Sequence, residues 1–119
     1  MKLGRKITGG RYVPKRKKKK YERPGQRRVV KLGQEKKKVK RIRGGNKKVL
    51  LLRGQFINVD NNGKKKKVEI TNVLETPSNR FLARQNVLTK GTIVETELGK
   101  VKITNRPTQE GMINGILLK

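Results

Sequence analysis

The sequence predicts a mainly β protein: a small closed or nearly closed β-barrel of about six short strands, preceded by an extended basic N-terminal arm. Three observations predict it. Short apolar segments beyond residue 38 are separated by turn signals at intervals of roughly ten residues. The residues before them are crowded with cations and broken by Gly and Pro. The chain has 119 residues with only two Phe and two Tyr, enough for one domain whose core must be aliphatic. The expected division is an arm over residues 1–38 and a barrel over residues 39–119.

The arm comes first. "ITGGRYVPKRKKKKYERPGQRR" (7–28) contains Gly9, Gly10, Pro14, Pro24 and Gly25, which interrupt regular structure. Few apolar residues are present to offset the entropy of ordering it. Its order is expected to come from a partner.

The strands follow. "VKRIR" (39–43) alternates imperfectly, and "KVLLLRGQFINV" (48–59) is rich in strand formers, with Gly54 as a bulge or bend. "DNNGK" (60–64) is a hairpin turn signal, because Asn-Gly tolerates positive φ. "KVEITNVL" (67–74) places Val68, Ile70 and Leu74 on one face and Glu69, Thr71 and Val73 on the other. After the turn "ETPSN" (75–79), "RFLARQNVL" (80–88) reads as a strand, with a short helix as the alternative. "GTIVETELGKVKIT" (91–104) is the clearest hairpin, turning at Leu98-Gly99. "NRPTQEG" (105–111) is a loop, and "MINGILL" (112–118) a last strand that Gly115 is expected to bend. A barrel of that size buries only about 60% of its unfolded surface, so a bound partner would stabilise it further.

Charge narrows the function. The chain has 34 Lys+Arg against 8 Asp+Glu, a formal net charge of +26. Twenty-three of these cations, with only Glu22 and Glu35 against them, lie in residues 1–54. Such a field repels itself unless an anion neutralises it. Nucleic acid is the first candidate and an anionic membrane surface the second.

Other classes are excluded. With no Cys and no His, zinc ribbons, thiol nucleophiles and histidine bases are ruled out. No carboxylate pair suits catalysis: Glu95 and Glu97 share a strand face next to a hairpin and are better matched to Lys100 or Lys102. The longest apolar run, "VLLL" (49–52), is far short of a membrane span, and the basic N-terminus has no apolar stretch of a secretory signal. No enzyme, cofactor, metal or small-molecule substrate is expected.

The candidate contact residues are basic or Gly. Arg5, Lys6, Gly9, Gly10 and Arg11 surround "TGGR" (8–11). Lys15, Arg16, Lys17, Lys18, Lys19 and Lys20 form the densest run, followed by Arg23, Arg27 and Arg28. Lysines act as point charges on phosphates and add affinity without base readout. Arg41 and Arg43, two apart on an extended segment, would present forked guanidiniums to one side. Gly44, Gly45 and Asn46 let a backbone approach an anion closely, and Lys47 and Lys48 close around it. A plain hairpin turn uses the same residues, and the cations on both sides favour the anion. Only Tyr12 and Tyr21 lie in the basic region, so stacking of single-stranded bases is disfavoured. Shape-and-phosphate recognition of folded RNA fits better.

Four stretches, "TGGR" (8–11), "KKYE" (19–22), "RIRGGNKKV" (41–49) and "NVLTKGTIVETELGKVKITNRP" (86–107), carry a family resemblance. In order and spacing the chain resembles small-subunit ribosomal protein eight of the archaeal and eukaryotic type, the S-eight-e family, in its short archaeal form. It departs at Arg23-Pro24-Gly25, where that family tends to Leu-Gly-Arg. The resemblance implies a barrel of the six-stranded type whose arm is embedded in small-subunit ribosomal RNA. It further implies a cytoplasmic, structural role in the ribosome as a monomer among neighbouring ribosomal proteins. The alternative from charge alone is a nucleoid DNA-packaging protein, although no wedge side chain for bending duplex is evident.

Overall fold

Two β assemblies share this chain. In the computed structural model, which describes residues 4–12, 16–25, 27–61 and 63–118, the first is a three-stranded sheet. Its strands are β1 (Lys31–Leu32), β2 (Lys36–Arg41) and β3 (Lys47–Gly54), in the order β1-β3-β2. The second is a closed barrel of β4 (Phe56–Asn61), β5 (Lys64–Glu75), β6 (Ile93–Thr96), β7 (Gly99–Ile103) and β8 (Asn114–Leu117). Neighbouring barrel strands are antiparallel except β4 and β8, whose parallel pairing closes the ring. The expected barrel is therefore present with five strands, and the remaining β structure forms the sheet beside it.

The two assemblies are joined by one extended run. Only Gln55 separates β3 from β4, and its carbonyl accepts the Ile70 N–H at 2.8 Å. Gly54 is the point of transfer. It is buried, and a Cβ there would stand 2.8 Å from Ile113 Cδ1 and 3.0 Å from Leu51 Cδ2. The bend expected at Gly54 thus coincides with a change of sheet, where only a residue without a side chain lets the backbone approach that closely.

The core is aliphatic. Val30, Leu51, Ile57, Val59, Val68, Ile70, Val73, Leu88, Val94, Val101, Ile103 and Ile113 form one buried cluster. Val73 corrects the expected face assignment. It is 6% exposed, whereas Leu74, expected on the buried face, is 39% exposed. The β5–β6 register shifts between Ile70 and Asn72, and again between Val73 and Glu75. Such an irregularity breaks the two-residue alternation, so the inward side changes partway along β5.

Two further expectations are corrected. The strand reading of residues 80–88 fails over α1 (Arg80–Arg84), a short helix; Val87 makes only an isolated bridge to Lys31. Asn79 caps this helix by accepting the Phe81 N–H at 2.9 Å, and Leu82 and Ala83 are good helix formers. The loop 105–111 contains α2 (Pro107–Glu110), one turn with Pro at its start and Gly111 at its C-cap in the left-handed conformation (φ 74°). Pro before and Gly after is the ordinary punctuation of a helix, compressed here into four residues. The Leu98-Gly99 hairpin is as expected, with Thr96 paired to Gly99 and Val101 and Ile103 buried.

The arm's root is held firmly. Val30 is fully buried, its carbonyl accepts the Leu88 N–H at 2.8 Å, and Leu32 N–H donates to the Asn86 carbonyl at 2.9 Å. Upstream of Val30, no described residue pairs with either β assembly. The Cα radius of gyration is 21.2 Å, against about 13.5 Å for a compact chain of this length.

Candidate nucleic-acid interface

The basic residues are densest in three places, the arm, the β2–β3 hairpin with its sheet, and the β4–β5 hairpin, while Arg80, Arg84, Lys90, Lys100, Lys102 and Arg106 are spread over the rest of the barrel. In the arm, "TGGR" forms a tight turn. Lys6 N–H donates to the Gly10 carbonyl at 2.8 Å, Gly9 N–H donates to the Lys6 carbonyl at 2.9 Å, and Arg5 bridges Arg11. Gly9 takes φ 78°, a conformation that favours Gly. Lys6 Nζ lies 5.8 Å from the Tyr12 ring centroid. Arg5, Lys6 and Arg11 are all exposed.

Farther along, Glu22 organises the lysine run. Arg16 grips its carboxylate with both terminal nitrogens, at 2.9 and 2.5 Å, and the Lys19 N–H donates to it at 3.0 Å. The Arg16 bond first, and then the Lys19 N–H, hold this carboxyl below the ordinary carboxylate range. The chain from 16 to 22 is thereby closed into a loop around one acid, ending in a 3-10 turn at Lys20–Glu22. Lys17, Lys18, Lys19 and Lys20 remain exposed around it, as do Arg23, Arg27 and Arg28. Lys15 lies outside the described residues.

The stretch "RIRGGNKK" is a hairpin tip. Arg41 is the last residue of β2 and pairs with Lys47, the first of β3. Ile42 N–H donates to the Asn46 carbonyl at 2.8 Å, and Arg43–Gly45 makes a 3-10 turn. Gly44 and Gly45 have φ of 75° and 79°, in the left-handed region that side chains with a Cβ disfavour. The strand expected over 39–43 therefore ends at Arg41, and Arg43 belongs to the turn instead of sharing an extended segment with Arg41. Arg41, Arg43 and Lys47 are exposed, and Lys48 is half-buried, with its ammonium donating to Gln109 of α2.

Strand pairing adds a feature that the order of residues does not reveal. β1, β2 and β3 together contain nine Lys and Arg and no acid. Cations face cations across the ladder: Arg41 opposite Lys47, Lys40 opposite Lys48, and Arg53 between Lys31 on one side and Lys36 on the other. Like charges directly opposite in a sheet are destabilising. Glu35 is the adjacent acid, bound to Lys37, whose hydrogen bond lowers its pKa. A sheet so built becomes favourable when an external anion lies across it.

Lys31, Lys36, Lys37, Lys38, Lys40, Arg53 and the run Lys64–Lys67 join the candidate residues only once the strands are paired. The lysine runs are visible as composition. Their grouping is not, because it depends on which strands pair. Among the described residues there is no cluster of three His, Cys, Asp or Glu able to hold a metal, and no helix long and apolar enough to cross a membrane.

Known proteins with similar sequences agree with the resemblance. Residues 1–118 match the family described as "Ribosomal protein S8e". Small ribosomal subunit protein eS8 of Nanoarchaeum equitans (strain Kin4-M) is 49% identical over 117 residues, covering 97% of this chain and 92% of the relative. The protein of the same name from Staphylothermus marinus is 50% identical over 118 residues, with coverage of 97% and 92%. That of Sulfolobus acidocaldarius is 45% identical over 118 residues, again covering 97% and 92%. These relatives are ribosomal proteins and not enzymes, they are archaeal, and they align over nearly the full length of the chain, basic arm and barrel alike: the chain belongs to the ribosomal protein S8e family.

Proposed function

We propose that this chain is a structural constituent of the small ribosomal subunit that binds ribosomal RNA through its arm and its Gly-Gly hairpin. The mechanism is neutralisation of phosphate charge. The arm, residues 1–38 in functional terms, gains order as it fills crevices between RNA helices. β1 and the start of β2 lie within that arm and tie it to β3 of the sheet beside the barrel. Arg5, Lys6, Arg11, Arg16 and Lys17 contact phosphates, as do the cations of 41–48. Neighbouring ribosomal proteins meet the less basic barrel face, and the chain acts as a monomer in the cytoplasmic particle.

The observation that carries this reading is the cation-on-cation pairing of β1, β2 and β3 at Arg53, Lys48 and Lys47. Nothing within the sheet compensates it, and a phosphate backbone does so directly. Family membership favours ribosomal RNA over nucleoid DNA.

Crosslinking in native cell extract, with sequencing of the attached nucleic acid, tests the reading. The expected reads concentrate in one region of small-subunit ribosomal RNA; reads scattered over genomic DNA would overturn it. At residue level, Gly44→Val with Gly45→Val should weaken RNA association more than Lys19→Gln with Lys20→Gln at one fixed salt concentration. Gly44→Asn with Gly45→Asn tolerates positive φ but still adds side chains. If it binds like the parent, the glycines serve the turn alone and not close approach.

A further inference from the structure

We propose that the β4–β5 hairpin is a second RNA-phosphate-binding finger, so that the protein bridges two separate RNA segments. This rests on the RNA-binding reading above and extends it to a site on the barrel. Lys64, Lys65, Lys66 and Lys67 open β5, and all four are exposed. Successive strand residues point to opposite faces, so this finger carries cations on both. Across the ladder they meet Asn61, Asp60, Val59 and Asn58, which include one carboxylate against four ammonium groups. Asp60 is also occupied with the turn, where its Oδ1 accepts the Gly63 N–H at 3.1 Å.

The hairpin's position separates it from the barrel wall. β6 joins β5 only from Ile70 onward, so among the described residues no strand lies beside the β5 edge along Lys64–Lys67. A lysine on a free edge discourages unwanted strand pairing. Two faces of unbroken lysine exceed that need and match phosphates on either side of an inserted finger.

Topology then places the two basic tips apart. The Gly-Gly tip precedes Lys47 at the start of β3, and the second tip follows Asn61 at the end of β4. The extended run between them spans up to about 45 Å at strand rise. The tips lie at its two ends and therefore address different stretches of RNA.

The chain has no Cys, so Lys47→Cys and Lys65→Cys variants can each carry a single tethered hydroxyl-radical source. After assembly into small subunits, cleaved positions in the ribosomal RNA are mapped. Two sets of cleavages that do not overlap are expected. Cleavage from position 47 with none from position 65 would overturn the proposal and assign this finger to an acidic protein segment. Overlapping sets would overturn the bridge. Silence from both positions would remove the RNA-binding reading itself.

A salt titration gives an independent measure. Changing Lys64, Lys65, Lys66 and Lys67 to Gln should flatten the slope of log affinity against log salt by about 3, from roughly 0.7–0.9 per phosphate. An unchanged slope, with a slope still lowered by Lys47→Gln and Lys48→Gln, would sink the second finger alone.

Discussion

Replacing Gly115 with Ala should destabilise the barrel at its point of closure. Gly115 sits in β8, paired with Val59 of β4 and Ile103 of β7. A Cβ there would stand 2.5 Å from Val101 Cγ1, 2.8 Å from Ile57 Cδ1 and 2.9 Å from the Lys102 carbonyl oxygen. Val101 and Ile57 are fully buried, so neither has open space to turn into. The carbonyl cannot retreat without loosening β7 from its neighbour. One methyl forced into such packing costs about 1–3 kcal/mol. For a domain of this size each kcal/mol lowers Tm by about 4–8 °C. A central value of about 2 kcal/mol therefore lowers Tm by about 8–16 °C. Thermal denaturation of the free protein followed by circular dichroism reads this, with Gly25→Ala as the control. Among the described residues, none beyond its chain neighbours comes within 4 Å of a Cβ added at Gly25, so this change should leave Tm unaltered. A Gly115→Ala Tm within about 2 °C of the parent would refute the close-approach argument. The structure gives this glycine a packing role.

Three further outcomes are expected. Gly111→Ala should destabilise by more than the strain of positive φ alone, about 1–2 kcal/mol, because its Cβ would stand 2.7 Å from Val49 Cγ1. Gly111→Asn, which tolerates φ but not the crowding, should also lose stability in urea denaturation, and a parent-like midpoint would refute the contact. Leu88→Ala removes a side chain that is 1% exposed within the core cluster and should cost about 2–5 kcal/mol in the same assay; a loss below about 1 kcal/mol would contradict its placement. Glu22 titrates below its ordinary value of 4.5 because of Arg16 and the Lys19 N–H. The order it lends to residues 16–22 is therefore complete above that ordinary value and is lost as pH falls through the lowered one. An NMR titration of the Lys19 amide should show its midpoint below 4.5, and a midpoint at or above 4.5 would remove the Arg16–Glu22 contact from the free protein.

The residues whose roles are legible in the sequence are those whose meaning is local. Gly99 after Leu98 specifies a hairpin, and Val101 and Ile103 alternate in a strand with no irregularity. "RIRGGNKK" was recognisable as a turn among cations because positive φ at Gly44 and Gly45 is a property of those residues alone. Where a second element intervenes, the local signal misleads. Leu74 alternates with Val68 and Ile70 on paper, yet the shifted β5–β6 register buries Val73 instead. The helix at Arg80–Arg84 is too short for periodicity to declare, and it rests on one cap, the Asn79 side chain.

Composition by itself determined that this chain needs an anionic partner, since 34 cations against 8 acids cannot be neutralised internally. Patterning by itself determined a small aliphatic β-barrel with a basic arm. Only the tertiary structure decided that Arg53 lies between Lys31 and Lys36, that Lys40 faces Lys48, and that two cationic tips stand at opposite ends of β3 and β4. The physical reason is range. Charge and turn preference are carried by each residue and its immediate neighbours, whereas the partner across a ladder is chosen by the packing of the whole barrel.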